Sequence, residues 1–147
     1  MLTETLINLF ERDLSKLEEE IAAYGTEEAL WRIPEGISNP AGNLCLHLCG
    51  NLQHFVGKVL GNTDYVRNRD LEFSARNVPR QDLLEQVGAT RRIVLTVISG
   101  LSNADMEKIY PEIVFGREMA TGHFLVHLQG HLNYHLGQIN YHRRLTK

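Results

Sequence analysis

Apolar residues recur at helical spacing along most of this chain. Leu2, Leu6, Leu9, Phe10, Leu17 and Ile21, with Glu and Lys between them, predict a first helix over residues 2–24. Gly25 ends it, and residues 25–38, with Pro34, Gly36 and Ser38, read as a connection. Asn39-Pro40 places a cap residue before a proline and predicts a second helix reaching about Leu60, closed by Gly61-Asn62. Residues 61–79 are polar and aperiodic and read as a long surface loop. Leu83, Leu84, Val87, Val94 and Ile98 mark a third helix from Arg80 to about Ile98, ending at Gly100. Ser102 to Glu107 reads as a short helical turn, and 110–118, punctuated by Pro111 and Gly116, as irregular. Thr121 is placed to cap a fourth helix that reaches about Leu145. Four long helices, no strand and no internal repeat make an all-α chain, most economically a four-helix bundle filling 1–147 as one domain. The long connection between the second and third helices leaves room for a crossover topology.

Charge is as unevenly spread as hydrophobicity. Between Glu11 and Glu20, seven of ten residues are charged. Two long stretches, Gly36 to Gly57 and Met119 to His142, hold no Asp, Glu, Lys or Arg. Every histidine lies inside them: His47 and His54 in the first, His123, His127, His131, His135 and His142 in the second. A helix facing water carries charge on its outer face, so both stretches are expected to be sheltered on most sides. Their polar groups then need partners, and a metal ion held by imidazoles is one.

Composition narrows the classes. The chain of 147 residues, 43% apolar and 22% charged, is that of an ordinary globular domain with a full core. A net charge of −3 without a basic run leaves no electrostatic footprint for nucleic acid. Asn39, Pro40, Asn43, His47, Asn51, Gln53 and His54 interrupt the first uncharged stretch, and five histidines the second. Neither is the run of about 20 mostly apolar residues that a membrane span requires. The opening MLTETLINLFERD turns acidic too early for a secretory leader, and a cytoplasmic location is expected. Cys45 and Cys49 lie one helical turn apart, lack zinc-type spacing and read as buried core residues.

On a wheel of ~100° per residue, His127, His131 and His135 form one stripe within ~80°. Tyr134, Gln138 and His142 lie on or beside it, and His123 at its edge. The i,i+4 spacing that brings two imidazoles to one ion occurs twice, in His127/His131 and in His131/His135, and spacing does not choose between them. Asn43, His47, Gly50, Asn51 and His54 share one face of the second helix. If the two stripes face each other, His47 adds a third imidazole. Three neutral histidines suit a first-row divalent metal, and three protein ligands leave open positions, as in catalytic sites.

The fourth helix, HFLVHLQGHLNYHLGQINYHRR, resembles the C-terminal signature of the DinB/YfiT-like metalloenzyme superfamily. That signature is a His, a second His four residues on, any residue, then Gly-Gln and an aliphatic; here it is His131, His135, Leu136, Gly137, Gln138 and Ile139. SNPAGNLCLHLCGNLQHF is similar to the family's upstream signature, with His47 in the ligand place. Element order and length agree over essentially the whole chain. The resemblance implies the family's four-helix bundle, with metal ligands His47, His131 and His135 and nickel or zinc as the ion usually recovered. It implies thiol-dependent chemistry on a small-molecule substrate, as in bacillithiol S-transferases and mycothiol-dependent maleylpyruvate isomerases, and a homodimer. Many relatives carry a further histidine directly before the second ligand; this chain has Tyr134 there, so the resemblance implies no histidine acid–base at that position.

The leading expectation is therefore a metal-dependent thiol S-transferase using a low-molecular-weight thiol as co-substrate. Asn43, Asn51, Tyr134 and Gln138 are candidates to orient the thiol or a water. No carboxylate lies within the uncharged segments, but one from 61–79 or 108–118 could reach in. A metal-dependent hydrolase would use the same three histidines. A non-enzymatic, stress-associated binding or dimerisation module is the other alternative, with Gly130 and Gly137 admitting a neighbouring helix.

Overall fold

The computed structural model describes residues 1–147. Six α-helices follow one another: α1 (Leu2–Ala23), α2 (Ala41–Leu52), α3 (Arg69–Ser74), α4 (Arg80–Ser99), α5 (Asn103–Glu107) and α6 (Thr121–Leu145). The four long ones form the bundle. α1 packs on α4 and α6, and α2 packs on the same two, so the order around the bundle is α1, α4, α2, α6. The long 59–79 connection joins neighbours, whereas 24–40 and 100–120 each cross an end diagonally. The crossovers thus fall at the two connections other than the one between α2 and α4.

The expected helices form for the reasons read above, with small shifts. Pro40 is the cap of α2 rather than its first residue, and Ala120 caps α6 while the Thr121 hydroxyl donates to the Lys108 carbonyl at 3.0 Å. α2 continues beyond Leu52 as a π-helical segment, Gln53–Lys58. Ser102 and Asp105 close a capping box at α5. The 61–79 stretch is not all loop: it contains α3, whose start is fixed by the Asn68 side chain accepting from the Leu71 N–H at 3.2 Å. Six residues are too few for a periodic apolar stripe, and the one local cue, a cap residue at Asn68, does not by itself predict a helix.

A single cluster of 28 buried apolar residues fills the bundle. Leu6, Phe10, Leu14, Leu17 and Ile21 from α1 meet Leu44, Leu48 and Leu52 from α2, Leu83, Val87, Val94 and Ile98 from α4, and Leu125, Leu128, Leu132 and Ile139 from α6. Each fully buried Leu or Phe contributes roughly 1.5–3 kcal/mol. Cys45 and Cys49 are buried and unbridged. No helix is long and apolar enough to cross a membrane.

The two uncharged stretches are uncharged for different reasons. α2 is buried on nearly every side, Leu46 being its one half-buried residue. α6 is buried on one side only: Val126, Tyr134 and Tyr141 are exposed, and the space beside Gly130 and Gly137 is open rather than filled by another helix. Along its α1 side, α6 answers buried acids. Gln129 and Asn133 donate to Asp13 at 2.6 and 3.1 Å, and Asn140 and Arg143 donate to Glu20 at 2.8 and 2.7 Å. These bonds pair buried carboxylates and fix the register of α1 on α6.

Candidate functional site

α2 and α6 face each other with their histidine stripes inward. His47 Nε2 and His131 Nε2 are 3.1 Å apart, and one nitrogen from each of His47, His131 and His135 lies within 4.8 Å of the other two. The tie left by spacing is broken by geometry: the His131 and His135 rings are 4.6 Å apart and join His47, while His127 turns to Phe115 and Phe124.

Each of two imidazoles is backed by a group that fixes its proton. His47 Nδ1–H donates to Glu72 Oε1 at 3.0 Å. The same buried carboxylate accepts from Arg67 Nε at 2.9 Å and Arg67 Nη2 at 3.0 Å. Burial raises the Glu72 pKa, but the bonds from His47 and Arg67 outweigh it and hold the carboxyl below its ordinary value. Ionised Glu72 keeps the His47 proton on Nδ1 and leaves the Nε2 lone pair facing His131. His135 Nδ1–H donates to Gln138 Oε1 at 2.7 Å, which frees its Nε2 in the same way.

Burial, helped by the neighbouring His135, His47, His127 and Arg67, pushes His131 down to about 3. Burial also lowers His135, against the raising effect of its bond to Gln138. The His131 Nδ1 atom is buried with no partner.

This donor set fits a divalent ion. Metal–nitrogen bonds of about 2.0–2.1 Å at angles of 90–110° put nitrogens about 3.0–3.4 Å apart, and the His47–His131 pair is already there. With Glu72 and Gln138 accepting from their Nδ1–H groups, His47 and His135 turn bare Nε2 atoms to the centre, the form in which an imidazole binds a metal.

Glu72 comes from the 61–79 stretch, one of the two from which a carboxylate was expected. Nothing local in the sequence marks it, because its role depends on α3 folding back onto α2. The fold-back has a steric condition: a Cβ at Gly50 would land on the Glu72 carboxylate. Asn43 serves the same arrangement. Its amide donates to the Glu72 and Ala75 carbonyls, both at 2.9 Å, and accepts from Arg76 at 2.8 Å. It therefore ties down the end of α3 and does not touch the histidines.

The sequence profile of the DinB superfamily matches residues 9–139. The chain belongs to the DinB superfamily. A DinB-like protein from Bacillus cereus of known crystal structure is similar to it in fold, with TM-score 0.77 and 15% identity over 97% of this chain and 91% of that one. No curated protein matches the chain.

Around the histidines, this DinB-superfamily bundle has two hollows that share no lining residue. The larger, about 450 Å³, includes Ser38, Leu44, Tyr134, His135, Gln138 and Tyr141. The smaller, about 240 Å³, is bordered by His47 and His131 together with Asn51, Arg67, Phe115 and Phe124. Tyr134 is 65% exposed and stands at the rim of the larger hollow, its ring 5.2 Å from that of His135.

The remaining histidines have other work. The other stretch from which a carboxylate was expected reaches a histidine as well: Glu112 lies 2.9 Å from His54 Nε2 and secures the 108–118 loop. His142 is buried between the Tyr24 hydroxyl at 2.7 Å and the Arg32 carbonyl at 2.8 Å, a structural position. His123 is exposed.

The depressed His131 value makes a pH prediction for metal-free protein. The unfolded chain takes up this proton near pH 6.5 and the folded chain only near 3. Stability contributed here is complete above pH 6.5 and is lost as pH falls from 6.5 toward 3. Melting temperatures at pH 7 and pH 5 are expected to differ more for the wild type than for His131→Ala; equal drops would contradict the assignment.

Proposed function

We propose that the protein is a metal-dependent transferase that joins a low-molecular-weight thiol to a small electrophile, with His47, His131 and His135 holding the metal. The observation that carries this reading is the placement of the three imidazoles between two separate hollows, His135 on the larger and His47 and His131 on the smaller. Two substrates that meet need two approaches, whereas hydrolysis needs one plus water. A first-row divalent ion on three neutral imidazoles supplies Lewis acidity, which lowers the pKa of a thiol.

The chain's own residues orient and exclude. Glu72 and Gln138 hold His47 and His135 in their tautomers, and Tyr134 borders the approach on the larger side. Both oxygens of Glu72 are occupied by His47 and Arg67. That leaves it unsuited to accept a proton from water or to give one to a leaving group. This favours transfer of a thiol to carbon over hydrolysis of an amide or ester.

The test is conjugation of glutathione or bacillithiol to 1-chloro-2,4-dinitrobenzene or monochlorobimane, followed by absorbance or fluorescence. Activity is expected to require the thiol, to fall on chelation and to return with added zinc, nickel or manganese. Thiol-independent turnover of ester substrates, with no conjugation, would replace this reading by the hydrolase.

A further inference from the structure

The smaller hollow has a chemistry of its own. Arg67 and Arg69 line it, and no Asp or Glu does. Arg67 gives Nε and Nη2 to Glu72, while Arg69 makes no ion pair and lies 5.5 Å over the Phe73 ring. Phe55, Phe115 and Phe124, with Val114 and Leu128, make the rest of the wall apolar.

The decisive atom is Asn51 Oδ1. Asn51 is only 7% exposed, lines this hollow, and its carbonyl oxygen has no hydrogen-bond partner. A buried amide oxygen left unpaired is destabilising by about 1–3 kcal/mol, and buried polar groups without a partner are few in folded proteins. Asn51 is one turn beyond His47 on α2, so its side chain stands beside the histidine trio. An acceptor with no donor, next to a guanidinium with no acid, describes a complementary ligand.

We infer that the smaller hollow binds a small organic carboxylate with an apolar or aromatic body and a hydroxyl, amine or thiol donor near the carboxyl group. The carboxylate meets the guanidinium of Arg69 and the free edge of Arg67, a pairing favoured by charge and by fork geometry. The donor meets Asn51 Oδ1. The body lies against the phenylalanines. At about 240 Å³ the space is below the 300–1,000 Å³ of drug-sized sites, which sets the ligand class as small. As the electrophile's site, the hollow rests on the transferase reading; as a carboxylate site it stands on Arg67, Arg69 and Asn51 alone.

The test uses 3-phenyllactate, its neutral amide and 3-phenylpropanoate, titrated into full-length protein by calorimetry and by amide chemical shifts, metal-free and zinc-loaded. Phenyllactate is expected to bind at millimolar concentration or tighter and to shift residues of this hollow. The amide is expected to bind at least about tenfold more weakly, as is phenyllactate to Arg69→Gln, an exposed position where folding is not at stake. Phenylpropanoate, which lacks the hydroxyl, should bind wild type more weakly than phenyllactate does. Asn51→Leu should erase that difference, as a double-mutant cycle requires.

Equal binding of acid and amide, shifts confined to the larger hollow, or an undiminished preference for the hydroxyl in Asn51→Leu would each overturn the inference. Zinc binding without carboxylate binding also overturns it while sparing the metal site. Carboxylate binding in a protein that takes up no zinc leaves the inference standing and removes the transferase reading.

Discussion

Purified His131→Ala protein is expected to carry no stoichiometric metal, and wild type about one first-row ion per chain. His131 is the middle ligand: its Nε2 faces that of His47 at 3.1 Å, and its ring is 4.6 Å from that of His135. Losing only a group that orients a ligand lowers metal affinity about 10- to 100-fold, so losing the ligand itself lowers it by more. The bundle has no such dependence. Its 28-residue core excludes all three histidines, and the His131 Nδ1 atom makes no bond that alanine would break. Mass spectrometry for metal and far-ultraviolet circular dichroism for helix separate the two effects. Full metal content in the variant would refute the site, and loss of helix on metal removal would make the metal structural.

Gly50→Ala will have the second largest effect, although residue 50 touches neither metal nor substrate. The added Cβ meets the Glu72 carboxylate, with its Cδ at 2.6 Å and its Cγ at 3.3 Å. The Glu72 carboxylate must shift, which weakens its bonds to Arg67 and His47 Nδ1 together. Replacing a helical glycine by alanine gains about 1 kcal/mol, whereas deleting one partner of a buried ion pair costs about 3–5 kcal/mol, the upper bound for displacing Glu72. The net is a loss of up to about 2–4 kcal/mol, with metal affinity down by up to about 10- to 100-fold because His47 is less firmly held in its tautomer. Denaturant midpoints and zinc titrations read the two quantities. Wild-type values for both would mean that Glu72 is not clamped against α2. Glu72→Gln keeps the shape and removes the charge, and is expected to fall between wild type and Gly50→Ala.

The four long helices and their inward faces were legible because their signal is local. A period of 3.6, capped by Asn39-Pro40 and ended by Gly100, needs no knowledge of the partner helix. The histidine stripes were legible for the same reason, and absence of charge singled them out. That cue meant burial for α2 but not for α6, whose outer face is uncharged and open. Charge counts composition, and only packing says which side of a helix is covered.

What the sequence alone determined is the four long helices, their apolar faces, and two candidate ligand pairs on α6 with a third histidine on α2. Tertiary structure decided which pair converges with His47, that the diagonal crossings fall outside the long 59–79 connection, and that α3 carries Glu72 back over Gly50. It also brought Asn51, Arg67 and Arg69 around one hollow. Residues 51, 67 and 69 share no helix face and no periodicity. Their meeting comes from a long connection folding over a buried helix, a contact made in space between segments that carry no mark of one another.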